Sequence, residues 1–177
     1  MRGCHPGGPP RGAAVHQDVR ELRVGAPVNS LRTALLTASG VLALDQLTKW
    51  WVVETLPGDP ITVIDGFLDL RYVTNSGASF SMLQGAGSLI AVAVIAIVVL
   101  IVMVVRKIDH TPEAIAFGLV LGGALGNLAD RIFRGPGLFD GAVVDFVDFS
   151  FFPAFNVADS AVSVGAIALL GLAFFRK

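Results

Sequence analysis

Two aspartates, Asp145 in "VVDF" and Asp159 in "FNVADS", each stand among apolar residues with no adjacent cation. Two carboxyl groups held close together in such surroundings cannot both ionise easily, so one keeps a proton while the other stays charged. The charged group can take a proton from water as the water attacks an amide carbonyl. The neutral one can polarise that carbonyl and later protonate the leaving nitrogen. The spacing allows the two to meet, because a loop and a helix start separate them. Asp159 also has a plainer reading. Asn156 is a good helix N-cap, and Asp159 three residues on favours the dipole of the helix it opens. Asp148, two residues past Asp145, reads as a surface group.

Other polar residues fall near the same level. Asp45 and Lys49 are an i,i+4 pair, Asn75 lies in "TNSGASF", and Asn127, Asp130 and Arg131 lie in "GNLADR". Asp45 with Lys49, and Asp130 with Arg131, can be read simply as pairs that neutralise each other. Other chemistries find less support. His5, His16 and His110 lie away from the cluster, which removes a Ser-His nucleophile and a histidine-ligated zinc. A Ser-Lys dyad of Lys49 with Ser79 or Ser81 is conceivable, but nothing in the sequence fixes their approach. The single Cys4 excludes an internal disulfide framework and any multi-cysteine metal site. No metal and no cofactor is called for.

The elements that must position these groups belong to a membrane protein. Of 177 residues, 54% are apolar and 15% charged, and the mean hydropathy is +0.71. Soluble domains average about 25% charged. A net charge of −1 argues against nucleic acid as a partner. Residues 1–30, rich in Gly, Pro and Arg, read as a disordered cytoplasmic tail, too polar for a signal peptide. Four apolar segments follow at about 31–53, 83–105, 113–133 and 157–175, each near the roughly 20 residues a helix needs to cross hydrocarbon. Arg20, Arg23 and Arg32, then Arg106 and Lys107, then Arg176 and Lys177 fall on one side of such a bundle. The positive-inside rule makes that side cytoplasmic and puts both termini there. Trp50 and Trp51 mark the opposite interface, as does an outer loop, "ITVIDGFLDLRYVTN", whose Asp65-Gly66 favours a hairpin. Gly118, Gly122 and Gly126, four residues apart, read as a close helix-packing face with no chemistry of their own.

In order along the chain, "DQLTKWW", "NSGASFS", "GGALGNLADR", "VVDF" and "FNVADS" resemble the lipoprotein signal peptidase (signal peptidase II) family, and the likeness covers nearly everything from Leu31 to Phe175. The resemblance implies an all-α membrane protein, a four-transmembrane-helix bundle with a small extracytoplasmic β-element. It implies a membrane aspartic endopeptidase that cleaves diacylglyceryl-modified prolipoproteins before the lipidated cysteine, in the bacterial cytoplasmic membrane, and is blocked by globomycin. Asp145 and Asp159 match the family's catalytic pair. Asp45, Asn75, Asn127, Asp130, Arg131 and Asn156 match residues that line or support that site. The stretch "IFRGPGLFDGA" is longer than many members carry, which leaves the shape of the loop 132–144 open.

Two readings of other classes compete. A small proton-conducting transporter predicts ionisable residues spread through the membrane depth, whereas here they keep to one side. A structural subunit glued by polar residues accounts for Asp45 and Lys49 but poorly for Asp145 and Asp159.

Overall fold

The computed structural model describes Gly3 and residues 29–76, 86–137, 139 and 141–175. Most of the N-terminal tail lies outside the described residues, as do Ser79 and Ser81. Four helices are described: α1 (Ser30–Thr55), α2 (Ala86–Val105), α3 (Thr111–Phe133) and α4 (Val157–Phe175). Helix α1 starts where the Asn29 side chain accepts from the Arg32 backbone N–H at 3.0 Å, occupying one of the donors that a helix start leaves over. Pro112 and Glu113 suit the first turn of α3, the former lacking a donor and the latter favouring the dipole.

Helices α3 and α4 are each long and apolar enough to cross a membrane. Their outer surfaces and those of α1 and α2 are studded with exposed large apolar side chains, among them Leu47, Leu100, Met103, Ile167 and Leu170. Contiguous apolar surface of this kind is unusual on a water-soluble monomer and suits lipid contact. The interior uses small residues instead. Helix α3 lies between α1 and α4, and a Cβ added at Gly122 would come within 2.7 Å of the Ala38 carbonyl oxygen. One added at Gly123 would collide with the Ala158 carbonyl. Backbones therefore meet where side chains are missing, as lipid-embedded helices require.

A three-stranded antiparallel sheet joins this bundle, in the order β1 (Ile61–Ile64), β2 (Leu68–Asn75), β3 (Val143–Phe149). The expected hairpin turns at Asp65-Gly66, with Gly66 at φ +67°. The third strand, "VVDFVDF", goes beyond the sequence expectation, which reads its residues only as apolar surroundings of Asp145. Its period-two pattern explains it. Val144 and Phe146 turn to one face and bury against Val52 of α1 and Leu56 just past its end, so Asp145 between them points to the other. Pairing of Val73 with Asp145 and of Asn75 with Val143 sets the register that brings Asn75 to the same face.

Candidate active site

The polar residues converge where the C-terminal halves of α1 and α3, the start of α4 and strands β2 and β3 meet. Lys49 is the electrostatic centre. It is fully buried, and its ammonium group donates to Asp45 Oδ2 at 2.9 Å, Asp130 Oδ2 at 2.8 Å and Asn127 Oδ1 at 2.9 Å. Three donors thus meet three acceptors, and every donor of the group is committed to this network. Ser79 and Ser81, the other half of the Ser-Lys reading, lie outside the described residues.

Asp130 does not pair with its neighbour Arg131, as the sequence allowed. On a helix, successive residues point apart, and the partner lies one turn on: Arg134 Nε donates to Asp130 Oδ1 at 2.8 Å. Gln46 Nε2 bridges Asp45, Asp130 and the Gly126 carbonyl, each at 3.2 Å. Asp45 accepts from the Ala158 backbone N–H at 2.9 Å, and Asp130 from that of Val144 at 3.2 Å. The two buried carboxylates therefore tie α1 and α3 to the first turn of α4 and to β3. The loop before β3 returns onto α3, where the Gly141 N–H donates to the Arg131 carbonyl at 3.0 Å and a Cβ at Gly141 would strike the Asp130 carbonyl.

Above this base stand Asp145 and Asp159. The Asn127 amide is oriented by what it accepts: Lys49 and Asn156 both donate to its Oδ1, so its nitrogen faces Asp159 Oδ1 at 2.8 Å. Asn156, fully buried, caps α4 reciprocally. Its Oδ1 accepts from the Asp159 N–H at 3.0 Å, while Asp159 Oδ2 accepts from the Asn156 N–H at 3.3 Å. The N-cap reading of this pair therefore holds. The same Asn156 sends its amide nitrogen to Asp145 Oδ1 at 2.7 Å, so one residue touches both aspartates. Asn75 hydrogen-bonds Asp145 from the neighbouring strand.

Asp145 is 2% exposed, and its carboxyl is pushed up to about 6, chiefly by desolvation, with the Asp159 charge adding to the rise against the opposing hydrogen bonds of Asn75 and Asn156. Both aspartates line one cavity of about 180 Å³, together with Asn75, Asn127, Arg131, Leu128, Val143 and Val94. Arg131 is 8% exposed, and one of its terminal nitrogens is buried without a partner. Asp148 instead pairs with Arg71 Nε at 2.5 Å at the edge of the sheet. Among the described residues there is no cluster of His, Cys, Asp and Glu suited to a metal ion.

A sequence profile of the family described as signal peptidase (SPase) II matches residues 37–175. The chain is 46% identical over 149 residues to the lipoprotein signal peptidase of Rhodococcus jostii (strain RHA1), covering 82% of this chain and 75% of that one. It is 40% identical over 176 residues to the lipoprotein signal peptidase of Mycobacterium leprae (strain Br4923), covering 99% and 88%. A solved structure described as a bacterial membrane enzyme superposes with a TM-score of 0.73 at 32% identity, covering 82% of this chain and 94% of that one. The chain belongs to the signal peptidase II family. It is an aspartic-type peptidase of lipoprotein processing and a bacterial membrane protein.

Within this signal peptidase II, the sequence candidates Asp45, Asn75, Asn127, Asp130, Arg131, Asp145, Asn156 and Asp159 all gather at one place, in direct contact or around one cavity. Sequence reasoning left out Gln46, Arg134 and the backbone donors of Val144 and Ala158. Arg134 had a signal, its i,i+4 spacing from Asp130. Gln46 had only its place beside Asp45, and the backbone donors had none.

Proposed function

We propose that Asp145 and Asp159 are the catalytic dyad of a peptidase that removes the signal peptide from diacylglyceryl-modified prolipoproteins by cutting before the lipidated cysteine. The observation that carries this reading is the shared cavity, in which two carboxyl groups are linked through Asn127 and Asn156 and one of them holds its proton to about pH 6. Asp159 takes a proton from a water molecule whose oxygen bonds to the scissile carbonyl carbon. Asp145 donates its proton to the carbonyl oxygen in the same step, and the developing charge is neutralised. Collapse of the tetrahedral species breaks the C–N bond. The proton taken up by Asp159 passes to the leaving nitrogen, and Asp145 recovers its own. The products are a signal peptide with a new carboxyl end and a lipidated cysteine with a free amine.

Arg131 suits the role of substrate anchor. Asp130 is already served by Lys49 and Arg134, so the unpartnered nitrogen of Arg131 is available to a substrate carbonyl at the cavity wall. Globomycin-type inhibitors are expected to occupy the same cavity. The remaining helices α1 and α2 join α3 and α4 as membrane spans in this reading. The buried Asp45–Lys49 pair removes much of the cost of placing charge in α1, and the described part of α2 carries no charge. Both termini are then cytoplasmic, and the dyad lies at the extracytoplasmic face, where a substrate anchored in the outer leaflet presents its scissile bond.

The test replaces Asp145 and Asp159 by Asn, one at a time, and follows cleavage of lipidated and unlipidated prolipoprotein by the purified enzymes. Each variant is expected to lose at least about a hundredfold in rate while inserting normally, and wild-type enzyme to prefer the lipidated substrate. Full turnover by either variant would remove the dyad. Equal cleavage of both substrates would remove the lipid requirement.

A further inference from the structure

Asp145 and Asn75 line a second cavity, of about 320 Å³, in addition to the one they share with Asp159. The two compartments differ in their walls. The first takes side chains from three helices: Val94 of α2, Asn127, Leu128 and Arg131 of α3, and Asp159 of α4. The second is walled by the end of β2, Val73–Asn75, by Ser76 just after it, and by Pro153 and Ala154 of the β3–α4 connection, with no helical residue among those described. Asp145 is therefore a boundary between a chamber inside the bundle and a groove over the sheet.

The substrate has a matching asymmetry, on the reading proposed above. Its signal peptide and its acyl chains belong in hydrocarbon, and both must reach the scissile bond from the helical side. The residues that follow the lipidated cysteine are the start of a water-soluble protein, and carrying their backbone groups through the bundle would leave polar groups unsatisfied. A path that begins at the cut and leaves through walls of strand and turn avoids that cost. Thr74 and Ser76 at the rim are exposed and offer hydroxyl groups to a passing backbone.

We propose that this groove, between Val73–Ser76 and Pro153–Ala154, binds the mature-chain residues immediately after the lipidated cysteine. It is a subsite for a polar, extended peptide on the leaving-amine side of the cut. It receives neither the lipid nor the signal peptide.

Two measurements test it. In the first, a photo-crosslinking residue is placed two positions after the lipidated cysteine of a prolipopeptide and irradiated on the Asp159→Asn enzyme. Crosslinks are expected within Val73–Ser76 or at Pro153 and Ala154; crosslinks to Val94 or Leu128 would overturn the assignment. In the second, Ala154→Trp narrows the groove, with Thr74→Trp on the opposite wall as an independent variant. Both are compared with wild type on a lipidated substrate that ends at the cysteine amide and on one extended by a polar hexapeptide. Loss of about tenfold or more in kcat/KM is expected for the extended substrate only, corresponding to ~1.4 kcal/mol. An equal loss on both substrates, or no loss on either, would overturn the groove. Failure of the wild-type enzyme to cleave either lipidated substrate would instead overturn the peptidase reading on which the proposal rests.

Discussion

Replacing Asp145 by Asn should make the protein inactive and, above neutral pH, more stable. Asn has nearly the same shape, and its carbonyl oxygen can still accept the 2.7 Å hydrogen bond from Asn156. What disappears is the need to ionise a carboxyl group that is 2% exposed. Its titration is raised from 3.8 to about 6 in the folded protein, so between those values the native state holds a proton that the unfolded chain has released. Stability from this group is therefore complete below pH 4 and is lost as pH rises through about 6. A rise of roughly two pH units corresponds to at most about 3 kcal/mol by pH 8. The asparagine variant carries no such penalty. Apparent unfolding temperatures of wild type and Asp145→Asn in detergent micelles at pH 4, 6 and 8 measure the difference. The curves should nearly coincide at pH 4 and separate by several degrees at pH 8, with the variant higher. A variant that melts lower at pH 8, or a gap that does not close on acidification, would refute the claim that ionising Asp145 opposes folding. Confirmation would mark the site as one where function is kept against stability.

The same titration shapes activity: if Asp145 must carry its proton, kcat/KM should fall as pH rises through an apparent value near 6 belonging to the pair, and a pH–rate profile flat from pH 5 to 8 would contradict it. Lys49→Met should destabilise the protein by about 3–5 kcal/mol, because Asp45 and Asp130 would be left buried around a missing cation; the yield and melting of the purified variant report this, and a normally stable variant would show that the network tolerates the loss. Gly126→Ala should cost about 1–3 kcal/mol through overpacking, since its Cβ would come within 2.5 Å of Asp45 Oδ2 and 3.3 Å of the Ala158 Cβ. Unchanged melting would mean that α1 and α4 can move apart at no cost.

The α3 glycines form the close helix-packing face that their four-residue spacing implies. Gly118 and Gly122 do only that, against Ala34 and Ala38. Gly126 abuts the Asp45 carboxylate that accepts from the first turn of α4, so the packing stripe runs directly into the site.

By itself the sequence determined much of this protein. Uninterrupted apolar segments announce helices for lipid, because each helix satisfies its own backbone and needs only length and hydropathy. Asp145 and Asp159 were legible as candidates because carboxylates in apolar surroundings are costly to place, although Asp159 also serves the cap of α4. The i,i+4 spacing of Asp45 and Lys49 was legible for the same local reason. The tertiary structure decided what depends on residues distant in the chain. Only packing of α3 between α1 and α4 gives Lys49 its second and third partners, Asp130 and Asn127, and turns Asp130 away from Arg131. Only pairing with β2 makes a strand of "VVDFVDF" and aims Asp145 away from the face that Val144 and Phe146 bury against α1. Hydropathy and helical spacing act within a few residues, whereas hydrogen-bond partners and cavities are set by the approach of whole elements, and no local pattern in the chain encodes that approach directly.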